Sequence, residues 1–174
     1  MVGASNRLSR FLGMAAAMAV VAATSSAQIA PGDLFPSLSA AGLSAESLQR
    51  TSGNVVVVDF WASWCAPCKA SFAAYSRLQR QFAERGLVIV GVSVDTSPSA
   101  YSAFIAKFNP SFVMARDSQQ KLVSTVQVPT MPTCYLVDRN GRVRSIHAGF
   151  HGDQTERELL GEIEALLDAK AGSP

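Results

Sequence analysis

Two cysteines three positions apart, Cys65 and Cys68 in Trp64-Cys-Ala-Pro-Cys-Lys69, are the residues of this 174-residue chain best suited to chemistry. A Cys-x-x-Cys pair can ligate a metal, form a structural disulfide or cycle as a redox dithiol. Position separates these uses. The pair follows the β-branched run Val55–Trp61 and opens a helix, where unpaired N–H groups and the helix dipole favour a thiolate over a thiol. Each tenfold gain in thiolate is worth about 1.4 kcal/mol. Pro67 falls inside the first turn, where its missing N–H costs nothing. Cys65 then attacks a substrate disulfide, and Cys68, one turn further in, attacks the mixed disulfide and releases the reduced product. The second attack needs a base. Asp59, an acid in an apolar strand six positions before Cys65, is the candidate, because desolvation strengthens its hold on a proton and it can take one from Cys68 directly or through a water.

A strand must deliver Asp59 and a helix must carry the cysteines. Val55–Trp61 is continuous and β-branched, the pattern of a central strand buried on both faces. Phe72, Tyr75, Leu78 and Phe82 recur at helical spacing, and Gly86 stops that helix before a second strand, Leu87–Val94. Tyr101, Phe104, Ile105 and Phe108 mark a further helix, Phe112–Ala115 a short strand, and Leu122, Val123 and Val126 a short helix. Tyr135–Val137 and Val143–Ile146 form a hairpin across Asn140-Gly141. Ahead of these elements, Phe35 plugs the core from a loop-like stretch and Ser44–Thr51 reads as one short helix. The closing helix places Leu159, Leu160, Ile163, Leu166 and Leu167 on one face, with Glu156, Glu158, Glu162 and Glu164 on a solvated one. The predicted class is α/β: a central mixed sheet with helices on both faces.

The formal charge of +2 comes from 15 basic and 13 acidic side chains. Arg7 and Arg10 precede the apolar run Phe11–Ala23 and the small, polar Thr24-Ser-Ser-Ala27, the layout of a secretory signal peptide cleaved after Ala27, with Ala30 as second choice. An uncleaved membrane anchor would need about 20 apolar residues, and this run is shorter. The mature domain, residues 28–174, then holds 13 charges of each sign and is formally neutral. Neutrality argues against tracking along nucleic acid, which needs clustered basic residues. Arg139, Arg142 and Arg144 flank the hairpin turn and read as a solvated face. A mature domain of this size builds one core without disulfide staples, and Cys134, on a strand two residues beyond Pro132, reads as a small buried hydrophobe, with a third redox thiol as the lesser reading. His147 and His151 flank Gly149-Phe150 and read as bystanders.

Val58-Asp-Phe-Trp-Ala-Ser-Trp-Cys-Ala-Pro-Cys-Lys69 resembles the active-site segment of thioredoxins nearly residue for residue. The leader and Gly91-Val-Ser-Val-Asp-Thr-Ser-Pro98 narrow the resemblance to exported TlpA/ResA-like thiol-disulfide oxidoreductases, with Asn109–Val128 matching the strand-helix insertion of that branch. The resemblance implies a thioredoxin-like fold and a redox-active Cys65–Cys68 disulfide, with no other cofactor and no metal. Val128-Pro-Thr-Met-Pro-Thr-Cys-Tyr-Leu-Val-Asp138 resembles the family's cis-proline loop, with Pro132 rather than Pro129 in the cis position. That loop holds the Met131 backbone beside Cys65 for an extended substrate strand and keeps a metal from completing a site with the thiols. By the same resemblance, Trp64, Ala66, Pro67, Met131, Thr133, Gly149 and Phe150 form the substrate surface. The chain departs from the branch in three places: Asp59 stands where many members have Asn, the branch's loop acid near Thr96 is represented only by Asp95, and Ala73 replaces a helix-kinking proline.

The implied activity is a periplasmic disulfide reductase. Ala-Pro between the cysteines supplies no histidine to overstabilise the thiolate, the device of strong oxidants. In an oxidising compartment the pair defaults to a disulfide, so a transmembrane reductase is expected as electron donor and protein disulfides or thiols as substrates; the family resemblance further implies cytochrome maturation as a role. The domain is expected to act as a monomer. The competing readings are an oxidase or isomerase on the same fold, and a copper-binding assembly module using Cys65, Cys68 and a histidine. A peroxidase is disfavoured, since Pro-x-x-x-Thr-x-x-Cys is absent.

Overall fold

The computed structural model describes residues 28–169, and the leader expected over residues 1–27 lies outside them. In chain order the elements are α1 (Ala45–Thr51), β1 (Val55–Trp61), α2 (Ala66–Phe82), β2 (Leu87–Ser93), α3 (Pro98–Phe108), β3 (Val113–Arg116), α4 (Lys121–Val126), β4 (Thr133–Val137), β5 (Val143–Ala148) and α5 (Asp153–Asp168). Every predicted strand and helix is present. Short 3-10 turns occupy Leu38–Ala41 and Ala83–Arg85, and Gly86 ends the second with φ 94°, a left-handed conformation that glycine adopts without a Cβ clash.

The five strands form one mixed sheet in the order β3-β2-β1-β4-β5. β1 is central, parallel to β2 and antiparallel to β4, and all seven of its residues are buried. Its side chains alternate between faces. On one face Asp59 and Trp61 meet Tyr75 and Phe72 of α2. On the other, Phe60 packs edge-on against Tyr135, which also receives Phe35. A groove of about 350 Å³ on that second face, lined by residues such as Phe35, Leu48, Val56 and Val137, lies at the end of β1 remote from the cysteines.

Two surface readings are corrected. Arg139 is half-buried, and its guanidinium donates to the backbone oxygens of Leu166, Leu167 and Ala169, because the last carbonyls of a helix lack intrahelical donors. Arg142 bonds the Gly32 carbonyl oxygen at 2.8 Å, and Arg144 reaches Asp138 at 3.5 Å. The acids of α5 are likewise not simply solvated: Glu156 takes a two-pronged bond from Arg77 of α2, and Glu162 accepts from Ser145 and bonds the ring of His147.

Candidate active site

Strand register brings the predicted site residues to one end of the sheet. At the end of β1, Phe60 pairs with Thr133 at the start of β4, and Thr133 pairs with Ala148 at the end of β5. The loops carrying Cys65, Pro132 and Gly149-Phe150 therefore leave the sheet together. β2 ends there too, with Trp61 opposite Ser93, which brings in Asp95.

Between β1 and α2 the chain turns through Ala62-Ser63-Trp64, and Cys65 caps α2. Asp95 fixes this turn: it is buried, and its carboxylate accepts from the Ser63 N–H at 3.0 and 3.2 Å, from the Ser63 hydroxyl at 2.9 Å and from the Ser93 hydroxyl at 2.8 Å. Asp95 is thus engaged in holding the approach to the cysteines. Cys65 and Cys68 form a disulfide with an S–S distance of 2.04 Å, and the Cys68 N–H donates to Cys65 Sγ at 3.2 Å. Cys65 retains 4% exposure and Cys68 none, so Cys65 is the one of the pair that solvent reaches. Ala66 and Pro67 are exposed beside it, and Trp64 is 71% exposed. α2 runs unbroken past Ala73 to Phe82.

The Met131–Pro132 peptide is cis. The Gly149 N–H donates to the Pro132 carbonyl oxygen at 2.7 Å, tying the two loops together. Thr133 is buried and its hydroxyl donates to the Thr130 carbonyl oxygen, so its side chain braces the loop from within. Among the described residues no hydrogen bond engages the Met131 N–H or carbonyl oxygen, and its side chain is half-buried. Phe150 packs against Tyr75 with ring centroids 6.3 Å apart.

Asp59 is fully buried. Burial pushes its carboxyl well above the usual range, an effect opposed by a hydrogen bond from the Tyr75 hydroxyl at 3.0 Å. Burial and then the Asp59 charge push the Tyr75 phenol up, and the same two causes, in the same order, push up the thiol of the free, buried Cys134. Cys134 lies opposite Asp59 on β4 and opposite His147 on β5. The His147 ring is held by Glu162 at 2.9 Å, with Glu158 at 3.7 Å, and His151 is exposed.

Tyr75 is the site residue that sequence reasoning assigned only to the core. Two signals bear on it: a buried tyrosine needs a partner for its hydroxyl, and a buried aspartate needs a donor. Neither names the other without the packing of α2 on β1.

The Redoxin family profile matches residues 30–163. The chain belongs to the Redoxin family. Within the thioredoxin superfamily this Redoxin chain is 29% identical to the thiol-disulfide oxidoreductase ResA of Bacillus thuringiensis over 119 residues, 68% of this chain and 67% of that one. It is 32% identical to the thioredoxin-like protein YneN of Bacillus subtilis over 141 residues, 78% of this chain and 80% of that one. A crystal structure of a proposed thiol:disulfide interchange protein, DsbE, from Chlorobium tepidum superposes with a TM-score of 0.72 at 32% identity, covering 80% of this chain and 99% of that one. With its disulfide at the head of α2, this Redoxin is a thiol-disulfide oxidoreductase on a thioredoxin-like fold.

Proposed function

We propose that the protein is an exported disulfide reductase in which Cys65 is the nucleophile and Cys68 the resolving thiol. The observation that carries this reading is the asymmetry of the pair: Cys65 keeps 4% of its surface exposed next to the exposed Trp64, whereas Cys68 keeps none. In the reduced protein the Cys68 N–H that bonds Cys65 Sγ, together with the other free amides of the first turn, stabilises a Cys65 thiolate. That thiolate attacks one sulfur of a substrate disulfide and expels the other as a thiolate. Cys68 then gives its proton to Asp59 and attacks Cys65 Sγ, so the Cys65–Cys68 bond forms as the bond to the substrate breaks. Two electrons pass from the dithiol to the substrate.

The unengaged Met131 backbone beside cis-Pro132 suits pairing with an extended substrate strand, with Trp64, Ala66, Pro67, Gly149 and Phe150 around it and Thr133 bracing the loop. Asp95 bonds Ser63 and Ser93 through both oxygens, which favours Asp59 as the base. The leader over residues 1–27 supports a periplasmic location, where a transmembrane reductase would recharge the pair and where cytochrome maturation would use it; the domain acts as a monomer.

The reduction potential of the Cys65–Cys68 couple tests the direction. A value between about −200 and −270 mV, with reduction of a protein disulfide by the dithiol form, is expected. A value near −120 mV, where strong oxidants lie, would make the protein an oxidase. Stoichiometric high-affinity copper binding by the reduced form would favour the assembly-module reading instead.

A further inference from the structure

Sealed between α2 and the sheet, the Asp59 carboxyl is only half satisfied. Oδ1 accepts from the Tyr75 hydroxyl at 3.0 Å, while Oδ2, equally hidden from solvent, has no hydrogen-bond partner among the described residues. On the sheet Asp59 is flanked by Gly91 of β2, which has no side chain, and by Cys134 of β4. Beyond Cys134 lie His147 of β5 and Glu162 of α5, which bond each other. From α2 the titratable groups on the buried face are Cys68 and Tyr75. Among the described residues Tyr75 is thus the one donor to this carboxyl and no cation offsets its burial.

Tyr75 comes seven residues, about 10.5 Å of helix axis, after Cys68 on the same buried face of α2. Helical side chains lean toward the N-terminus, so the Tyr75 ring lies back toward Cys68. Edge-on contacts with Phe112 and Phe150 fix the ring. A carboxylate with no tie exchanges its two oxygens by rotating about χ2; one tied at Oδ1 by a clamped phenol does not.

Resting on the assignment of Asp59 as the base for Cys68, we propose that Tyr75 is the positioning residue of that proton transfer, its hydroxyl holding Oδ1 and reserving Oδ2 for the Cys68 proton. The proton leaves Cys68 Sγ for Oδ2, the new thiolate attacks Cys65 Sγ, the Cys65–Cys68 bond forms, and the substrate sulfur departs as a thiolate that solvent protonates. Because the phenol donates to the charged form of Asp59, its removal also raises the pH at which Asp59 becomes a base.

The test follows both phases of thionitrobenzoate release when the reduced full chain meets the aromatic disulfide 5,5′-dithiobis(2-nitrobenzoate), from pH 5 to 10. The first phase reports Cys65 attack and the second reports Cys68 resolution. Tyr75→Phe keeps the ring; it is expected to slow the second phase about three- to tenfold at pH 7, move its midpoint up by at least half a pH unit and leave the first phase within twofold. In an Asp59→Asn background Tyr75→Phe should add nothing. Replacing Tyr75 by 3-fluorotyrosine, a stronger donor of the same shape, should move the midpoint down. If Asp59→Asn leaves the second phase unchanged, the base assignment itself fails. If Asp59→Asn slows it while the Tyr75→Phe and fluorotyrosine profiles both overlay the wild type, the role of Tyr75 alone is overturned.

Discussion

In the proposed mechanism, the resolving step of this Redoxin turns on how one carboxyl tolerates burial. Asp59 sits where seven consecutive strand residues are inaccessible, with one hydrogen bond for two oxygens. Its folded pKa lies above its unfolded one, so folding takes up a proton, and stability falls as pH rises from the unfolded value through the folded one. Asp59→Asn removes that charge while keeping an oxygen for the Tyr75 hydroxyl. The variant is expected to gain at least about 1 kcal/mol, roughly 2–4 °C in Tm, at pH 8, and to lose that advantage near pH 4. Thermal melts across this range check it; an equal effect at both ends would show that Asp59 is not held against its charge. The cysteines and this acid were legible because their types and spacing are themselves the signal. Tyr75 was not, since a tyrosine at a helical core position reads like any other apolar residue until the strand beneath it is known.

Among the elements, the start of α4 in the strand-helix insertion is capped by a single acid. Asp117 is buried, and its two oxygens accept from the Lys121 N–H at 2.9 Å and the Val123 N–H at 2.8 Å, satisfying donors at the start of α4 that the helix cannot satisfy itself. Gln120 and Gln127 bracket this six-residue helix with φ of 53° and 55°, a left-handed backbone that non-glycine residues adopt reluctantly. Asp117→Ala is expected to cost roughly 1–2 kcal/mol in denaturant unfolding and to leave thiol-disulfide exchange unchanged, because α4 carries none of the site residues. Periodicity foretold α4 and the amphipathic α5, yet it says which face of a helix is apolar, not which partner its polar face meets. The bonds from Arg77 to Glu156 and from Arg139 to the end of α5 join residues 79 and 27 or more positions apart, and only the packed fold brings them together.

For the molecule as a whole, the sheet separates chemistry from closure. The cysteine loop, the cis-proline loop and Gly149-Phe150 gather at one end, whereas at the other the segment before α1 pairs with the hairpin: Leu34 bridges Arg142, the Gly32 N–H donates to the Val143 carbonyl oxygen at 2.8 Å, and Phe35 rests on Tyr135 at 5.5 Å. Phe35→Ala should cost about 2 kcal/mol, less than a fully buried phenylalanine because Phe35 is half-buried, with the rate of Cys65 attack unaltered. Denaturant midpoints and exchange kinetics on the same variant check both halves. The β-branched strands, the crossover helices and the Asn140-Gly141 hairpin announced this layout, and the sequence also carried the insertion. What it lacked was register, the pairing of Phe60 with Thr133 and of Thr133 with Ala148 that puts three distant loops at one end.

The most direct measurement is covalent trapping. Reduced Cys68→Ser protein, incubated with an extract of extracytoplasmic proteins and alkylated, should be recovered in mixed disulfides that peptide mass spectrometry maps to Cys65, with Cys65→Ser giving none. Adducts that persist on Cys65→Ser, or that map to Cys134, would contradict Cys65 as the nucleophile.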